Sequence, residues 1–170
     1  HIRCLGNGSL AGVDTGRFNS NLRDIEGDNT RQALGIPLDH VVYIFVGPIA
    51  RDKGVNELVQ AFEELCGVQG NTSMILLGSS EHEMDPIDPE TVEMIRRNQR
   101  IHRVEYTPNP EMLMSASDVL VLPSYKEGFP TVVLESAAMG LCSIVTDFSG
   151  VGEVVLRDET GLVVPKRDTQ

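Results

Sequence analysis

From Val41 onward the chain alternates short apolar runs, closed by glycine or proline, with longer stretches whose apolar residues recur at helical spacing. That order leaves little choice of fold, because strands separated by helical crossovers pair in parallel and a parallel sheet needs helices over its faces. The first run, Val41-Val42-Tyr43-Ile44-Phe45-Val46, is too short and too rich in β-branched and aromatic residues for a surface helix. It reads as a buried strand ended by Gly47 and Pro48. After Gly54, the residues Val55, Leu58, Val59, Phe62, Leu65 and Cys66 share one helical face, while Asn56, Glu57, Gln60, Glu63 and Glu64 lie mostly on the other. Gly67 is placed to stop that helix.

The same reading predicts further strands over 74–77, 101–106, 118–122, 142–146 and 162–164, a helix opening at Asp88-Pro89-Glu90, and helices over 110–116, 130–139 and 150–156. Asp88 suits an N-cap and Pro89 a first turn, and Arg96, Arg97 and Arg100 sit at the end where a helix favours cations. The fold class expected for residues 41–170 is therefore α/β: a Rossmann-like doubly wound parallel sheet of about six strands with helices on both faces. Residues 1–40 differ. Gly6, Gly8, Gly12, Gly16 and Gly27 interrupt any periodicity, and the segment reads as a lead-in loop and interdomain segment.

Composition narrows the function. A length of 170 residues with 41% hydrophobic content suffices for one globular domain. A formal charge of −11 with no Lys/Arg cluster repels a nucleic-acid backbone, so polynucleotide binding is excluded and any anionic ligand has to be caught locally. No apolar run approaches the roughly 18–20 residues of a membrane span, and the first residues do not read as a signal peptide. Cys4, Cys66 and Cys142 are odd in number, far apart and without CxxC spacing, which points to reduced buried thiols and a cytoplasmic location.

Ligands of open parallel sheets bind beyond the carboxyl ends of the strands. The loop after Leu122 reads Pro123-Ser124-Tyr125-Lys126-Glu127-Gly128-Phe129-Pro130-Thr131 and runs into a helix that carries Glu135. A helix start offers backbone N–H groups and partial positive charge to a phosphate, and Gly128 lets a ligand approach the backbone. Glu135, one turn inside, is placed to accept hydrogen bonds from ribose hydroxyls, and Glu127, outside the helix, to meet a sugar.

The segment Glu127-Gly128-Phe129-Pro130-Thr131-Val132-Val133-Leu134-Glu135 resembles the E-x7-E signature of retaining, family-4-type glycosyltransferases of the GT-B fold. Asn7-Gly8-Ser9, Gly12-Val13-Asp14, Phe45-Val46-Gly47, Arg51-Asp52-Lys53-Gly54, Asp147-Phe148-Ser149-Gly150, Glu153 and Thr160-Gly161-Leu162-Val163-Val164-Pro165 extend the resemblance over nearly the whole chain. It is similar in particular to bacterial enzymes that build capsular or other surface polysaccharides from UDP-activated sugars. The resemblance implies that Glu127 is the catalytic candidate that contacts the donor sugar and that Glu135 holds the ribose. Gly128, Phe129 and Thr131 then offer backbone donors to sugar and phosphates, and Lys53 neutralises the diphosphate leaving group in place of a metal. No cofactor beyond the nucleotide-sugar donor is expected, and no DxD-like metal motif occupies a suitable loop.

The resemblance further implies transfer of a hexosyl group, with retention, to a glycan or lipid-linked acceptor. The acceptor would be bound by an N-terminal domain that these residues do not include, so that they alone are inactive. Peripheral association with the inner face of the membrane belongs to the full-length enzyme in this picture. One departure stands out: enzymes of this type usually carry arginine where this chain has Pro48, and proline has neither charge nor N–H. Arg51, in the same loop, is a candidate substitute or a solvated arginine. Two other functions use the same cradle, a GT-B-fold sugar-nucleotide epimerase and a degenerate, non-catalytic binding module. His82 stands in an acidic loop without ligand spacing, and His40 and His102 lack acidic or cysteine partners.

Overall fold

In a computed structural model of the chain, residues 12–80 and 85–169 are described. His82, Cys4 and the Asn7-Gly8-Ser9 segment lie outside them. The elements in chain order are α1 (Asn21–Leu34), β1 (Val41–Val46), a 3-10 turn (Arg51–Lys53), α2 (Val55–Val68), β2 (Thr72–Leu77), α3 (Pro89–Arg97) and β3 (Ile101–Val104). They continue with α4 (Pro110–Ser115), β4 (Val119–Leu122), α5 (Thr131–Ala138), β5 (Cys142–Thr146), a second 3-10 turn (Val151–Glu153) and β6 (Gly161–Val164). The six strands form one parallel sheet in the order β3-β2-β1-β4-β5-β6. This is the doubly wound arrangement that the alternation predicts, and the strand order reverses between β1 and β4.

The sheet carries a core on each face. Val42 and Ile44 of β1, Leu120 and Leu122 of β4 and Val145 of β5 pack with Leu113 and Met114 of α4 and Val133 of α5. On the other face Phe45, Met74 and Leu76 meet Val55, Leu58, Val59 and Phe62 of α2, so the helical face read from the sequence is the buried one. Strand β2, covered on both faces, is buried at all its positions. The half of this second face that belongs to β4, β5 and β6 has no helix over it among the described residues. It forms the floor of an apolar groove of about 360 Å³ lined by Tyr43, Phe62, Val121, Ile144, Leu162 and Val164.

Four expectations are corrected. Residues 21–34, expected in a loop, form α1, the longest helix together with α2. Gly27 faces α4 so closely that a Cβ there would lie 2.8 Å from the Ser115 carbonyl oxygen, so this glycine permits helix contact and does not break the helix. Arg31 ties α1 to the sheet by donating to Asp118 Oδ2 at 2.8 Å and to the carbonyls of Ala116 at 2.8 Å and His40 at 2.9 Å. Over 150–156, only the 3-10 turn Val151–Glu153 forms, because the Leu156 N–H is taken by Thr160 Oγ1 at 3.0 Å and the chain turns back toward β6. Gly67 lies inside α2, which ends one residue later. Cys142, expected to be buried, is an exposed free thiol, and Cys66 is a half-buried one.

Candidate functional site

The carboxyl ends of β1 and β4 meet at the point where the strand order reverses. Strand β1 runs out into Gly47 and Pro48, whose path is fixed by the loop after β2. Gly47 N–H donates to Leu77 O at 2.9 Å and Ile49 N–H to Ser79 O at 2.8 Å. A Cβ on Gly78 would fall 1.7 Å from the Gly47 carbonyl oxygen, so the two loops cross at backbone contact. The next turn carries Lys53 and ends at Gly54, which adopts φ 69° and opens α2.

The loop after β4 is fastened to that turn. Tyr125 N–H donates to Asp52 O at 2.9 Å, and Gly54 packs against the Pro123 carbonyl. Tyr125 Oη donates to Glu57 Oε1, in the first turn of α2, at 2.5 Å. Burial first, then the Glu57 hydrogen bond, push the Tyr125 hydroxyl up to about 12. Glu57 Oε2 is buried without a hydrogen-bond partner among the described residues, although the sequence placed Glu57 on the polar face of α2. Thr146 Oγ1 donates to the Ser124 carbonyl, which joins the end of β5 to the same loop.

Between the two loops lies a cavity of about 200 Å³, lined among others by Gly47, Pro48, Lys53, Glu127, Phe129 and Thr131. Lys53 Nζ is 2.9 Å from Glu127 Oε1, and the two side chains are 22% and 15% exposed. Helix α5 begins at Thr131 with no side-chain cap, so its first-turn N–H groups face the cavity end of the helix. The structure therefore brings Lys53, Glu127, Phe129 and Thr131 together. Gly128 is exposed in the same loop and does not line the cavity.

Glu135 lies one turn along α5, half-buried and beyond the cavity lining. Burial raises its carboxyl above the ordinary range, Arg17 pulls it down and Glu111 pushes it up. Arg17 is held by Glu111 Oε2 at 2.6 Å and by the Pro108 carbonyl. Neither Arg17 nor Glu111 carries a local sequence signal, because the turn before α1, helix α4 and helix α5 bring the three residues together only in the fold. Arg51 is drawn to the opposite side of its turn, where its guanidinium pairs with Asp88 Oδ1 at 2.8 Å. His40 bonds Ser73 at 2.9 Å, away from the cavity. Among the described residues, no group of three or more His, Cys, Asp or Glu side chains is placed to hold a metal ion, and no helix is long and apolar enough to cross a membrane.

The chain is 29% identical over 167 residues to the capsular polysaccharide biosynthesis glycosyltransferase CapM of Staphylococcus aureus, a match that takes in 98% of this chain and 43% of the relative. It superposes on a sucrose-phosphate synthase from Thermosynechococcus elongatus with a TM-score of 0.74 and 27% identity, over 94% of this chain and 39% of the other. The Anabaena protein Alr3699/HepE, solved in complex with UDP and glucose, shares the fold with a TM-score of 0.81 at 22% identity, over 94% of this chain and 43% of that one. The chain thus spans less than half the length of each of these three proteins. Residues 26–170 match the family model described as glycosyl transferases group 1, and the chain belongs to that family.

Proposed function

We infer that this chain is the donor-binding, C-terminal half of a cytoplasmic glycosyltransferase that moves a hexosyl group from a nucleotide diphosphate sugar to a glycan or lipid-linked acceptor. The observation that carries the reading is the placement of Lys53 and Glu127 on one cavity at the switch point, at the uncapped start of α5. In this reading the diphosphate sits against Lys53 and the first-turn amides of α5, the sugar hydroxyls against Glu127 and the ribose against Glu135. As the C1–O bond to the diphosphate breaks, its electron pair leaves with the phosphate, and the Lys53 ammonium neutralises the charge that develops there without a metal. The acceptor hydroxyl oxygen bonds to C1 with retention of configuration, and its proton passes to the departing diphosphate oxygen.

A UDP-sugar is the donor favoured, since the fold-related Anabaena protein was solved with UDP and glucose. The likeness to CapM supports a surface polysaccharide as the product. The acceptor site, and any contact with the membrane face, belong to the rest of the full-length protein. Calorimetric titration with UDP and UDP-glucose tests the site. Glu135→Ala is expected to weaken binding about tenfold or more, the worth of hydrogen bonds to a charged group. Equal affinity in the variant overturns the assignment.

A degenerate, non-catalytic module is the second reading, and Pro48 on the cavity wall is the observation in its favour. Transfer of labelled sugar by the full-length protein, with the anomeric configuration of the product read by NMR, separates the two.

A further inference from the structure

Among the described residues that line the cavity, Lys53 is the one cation and Glu127 the one anion, and they are bonded to each other. Pro48 adds neither charge nor donor to the same wall, and Arg51 is engaged with Asp88. The free cavity therefore presents no net charge to an incoming anion, and its two recognition groups occupy one another.

Both side chains are largely shielded from water, so withdrawing one strands the other in a poorly solvated place. A ligand that offers only an anion takes Lys53 and leaves the Glu127 carboxylate unpaired beside a second negative charge. A ligand that carries a diphosphate joined to a hydroxyl-bearing group replaces both partners at once: the phosphate oxygens accept from Lys53 while the hydroxyls donate to Glu127. The two ligands share their phosphate contacts and differ only in what becomes of Glu127.

We propose that the Lys53–Glu127 ion pair makes the site selective for an intact diphosphate-linked sugar over the diphosphate alone, and that it helps expel the diphosphate product once the sugar has left. This rests on the donor-site reading above. The discrimination is a difference of affinities obtained by penalising the wrong ligand, the device by which binding sites gain specificity without extra contacts to the right one. It also sets an order of events, because re-formation of the ion pair competes with the product for Lys53.

The test uses inorganic pyrophosphate, UDP and UDP-glucose as probes, titrated by NMR or calorimetry into the wild type, Glu127→Gln, Glu127→Ala and Lys53→Met, each checked for an unchanged thermal melt. Removing the carboxylate is expected to tighten pyrophosphate and UDP about tenfold, since a like-charge juxtaposition disappears, while UDP-glucose gains less or weakens. Glu127→Ala repeats the measurement with a truncation in case the isosteric amide perturbs the loop. Pyrophosphate binding that is no tighter in both Glu127 variants, with Lys53→Met still losing it, overturns the selectivity and leaves the donor site standing. Unchanged binding of all three probes in Lys53→Met, or no binding of any probe to any form, overturns the donor-site reading and the proposal together.

Discussion

Gly54 stands so close to Pro123 that a Cβ placed on it would lie 2.3 Å from the Pro123 carbonyl oxygen, and its φ of 69° is one that side chains resist. The turn that carries Lys53 and the loop that carries Glu127 are thereby pressed together through main-chain atoms. Gly54→Ala is expected to destabilise the fold by about 1–3 kcal/mol from the left-handed backbone alone. The clash adds to that and forces the loops apart. Urea unfolding measures the first effect, and loss of pyrophosphate binding in the folded fraction reports the second.

Asp118 gathers three donors from distant parts of the chain. Its Oδ2 accepts from Val42 N–H and Arg31 Nη2, each at 2.8 Å, and its Oδ1 from Arg23 Nη2 at 3.0 Å. Asp118→Ala leaves those donors unpaired at a partly buried site and is expected to cost roughly 1–3 kcal/mol. Hydrogen exchange should then quicken in Asn21–Leu34 before it quickens in β1 or β2, because α1 loses its two ion pairs, from Arg23 and Arg31, while the core beneath remains.

Glu135 predicts two opposite pH dependences. Burial holds its carboxyl above the ordinary range in the folded chain, so the stability linked to it is full below the unfolded value and is lost as pH rises through the folded one. In the donor-site reading ribose hydroxyls donate to the ionised carboxylate, so nucleotide binding is expected to weaken as pH falls through that raised value. Arg17 pulls the carboxyl down, and Arg17→Met is expected to move the loss of UDP binding to higher pH. Titrations of the wild type and the variant over the acid range check the direction. A profile that stays in place separates Arg17 from Glu135.

Tyr125→Phe removes the donor that satisfies Glu57 Oε1 and leaves both oxygens of that carboxylate without a hydrogen bond among the described residues. The expected loss is about 1–3 kcal/mol in urea unfolding. Ultraviolet titration supplies an independent check: Tyr125 is expected to ionise only at about 12, and the variant should lose one phenol from the late part of the curve while Tyr43, also raised by burial, stays.

The strands were legible because strands buried on both faces read as unbroken apolar runs with glycine or proline at their ends, as β1 and β2 do. Helix α1 was not, because its stability comes from contacts 85 and 87 residues away, from Arg31 to Ala116 and Asp118, and its own residues are mostly polar. Gly27, a breaker by local rules, is a close-packing residue only once α4 lies against it. The candidate site divides in the same way. Loop position marks Glu127 and the family resemblance adds Lys53, but their bond joins residues 74 apart and depends on how the two loops are fastened. Arg51 has the same local credentials as Lys53 and turns the other way because Asp88 lies beyond it.

The crossing of Gly47 and Gly78 has an outcome for how the cavity can change. Where two peptide planes touch with no room for a methyl group, the inner surface is built from atoms common to every residue type. Substitutions at side chains that line the cavity, such as Phe129 or Thr131, can therefore alter what it recognises while the main-chain crossing at Gly47 keeps its contour. Shape and chemical preference are set by separate parts of the chain, and one can drift without the other.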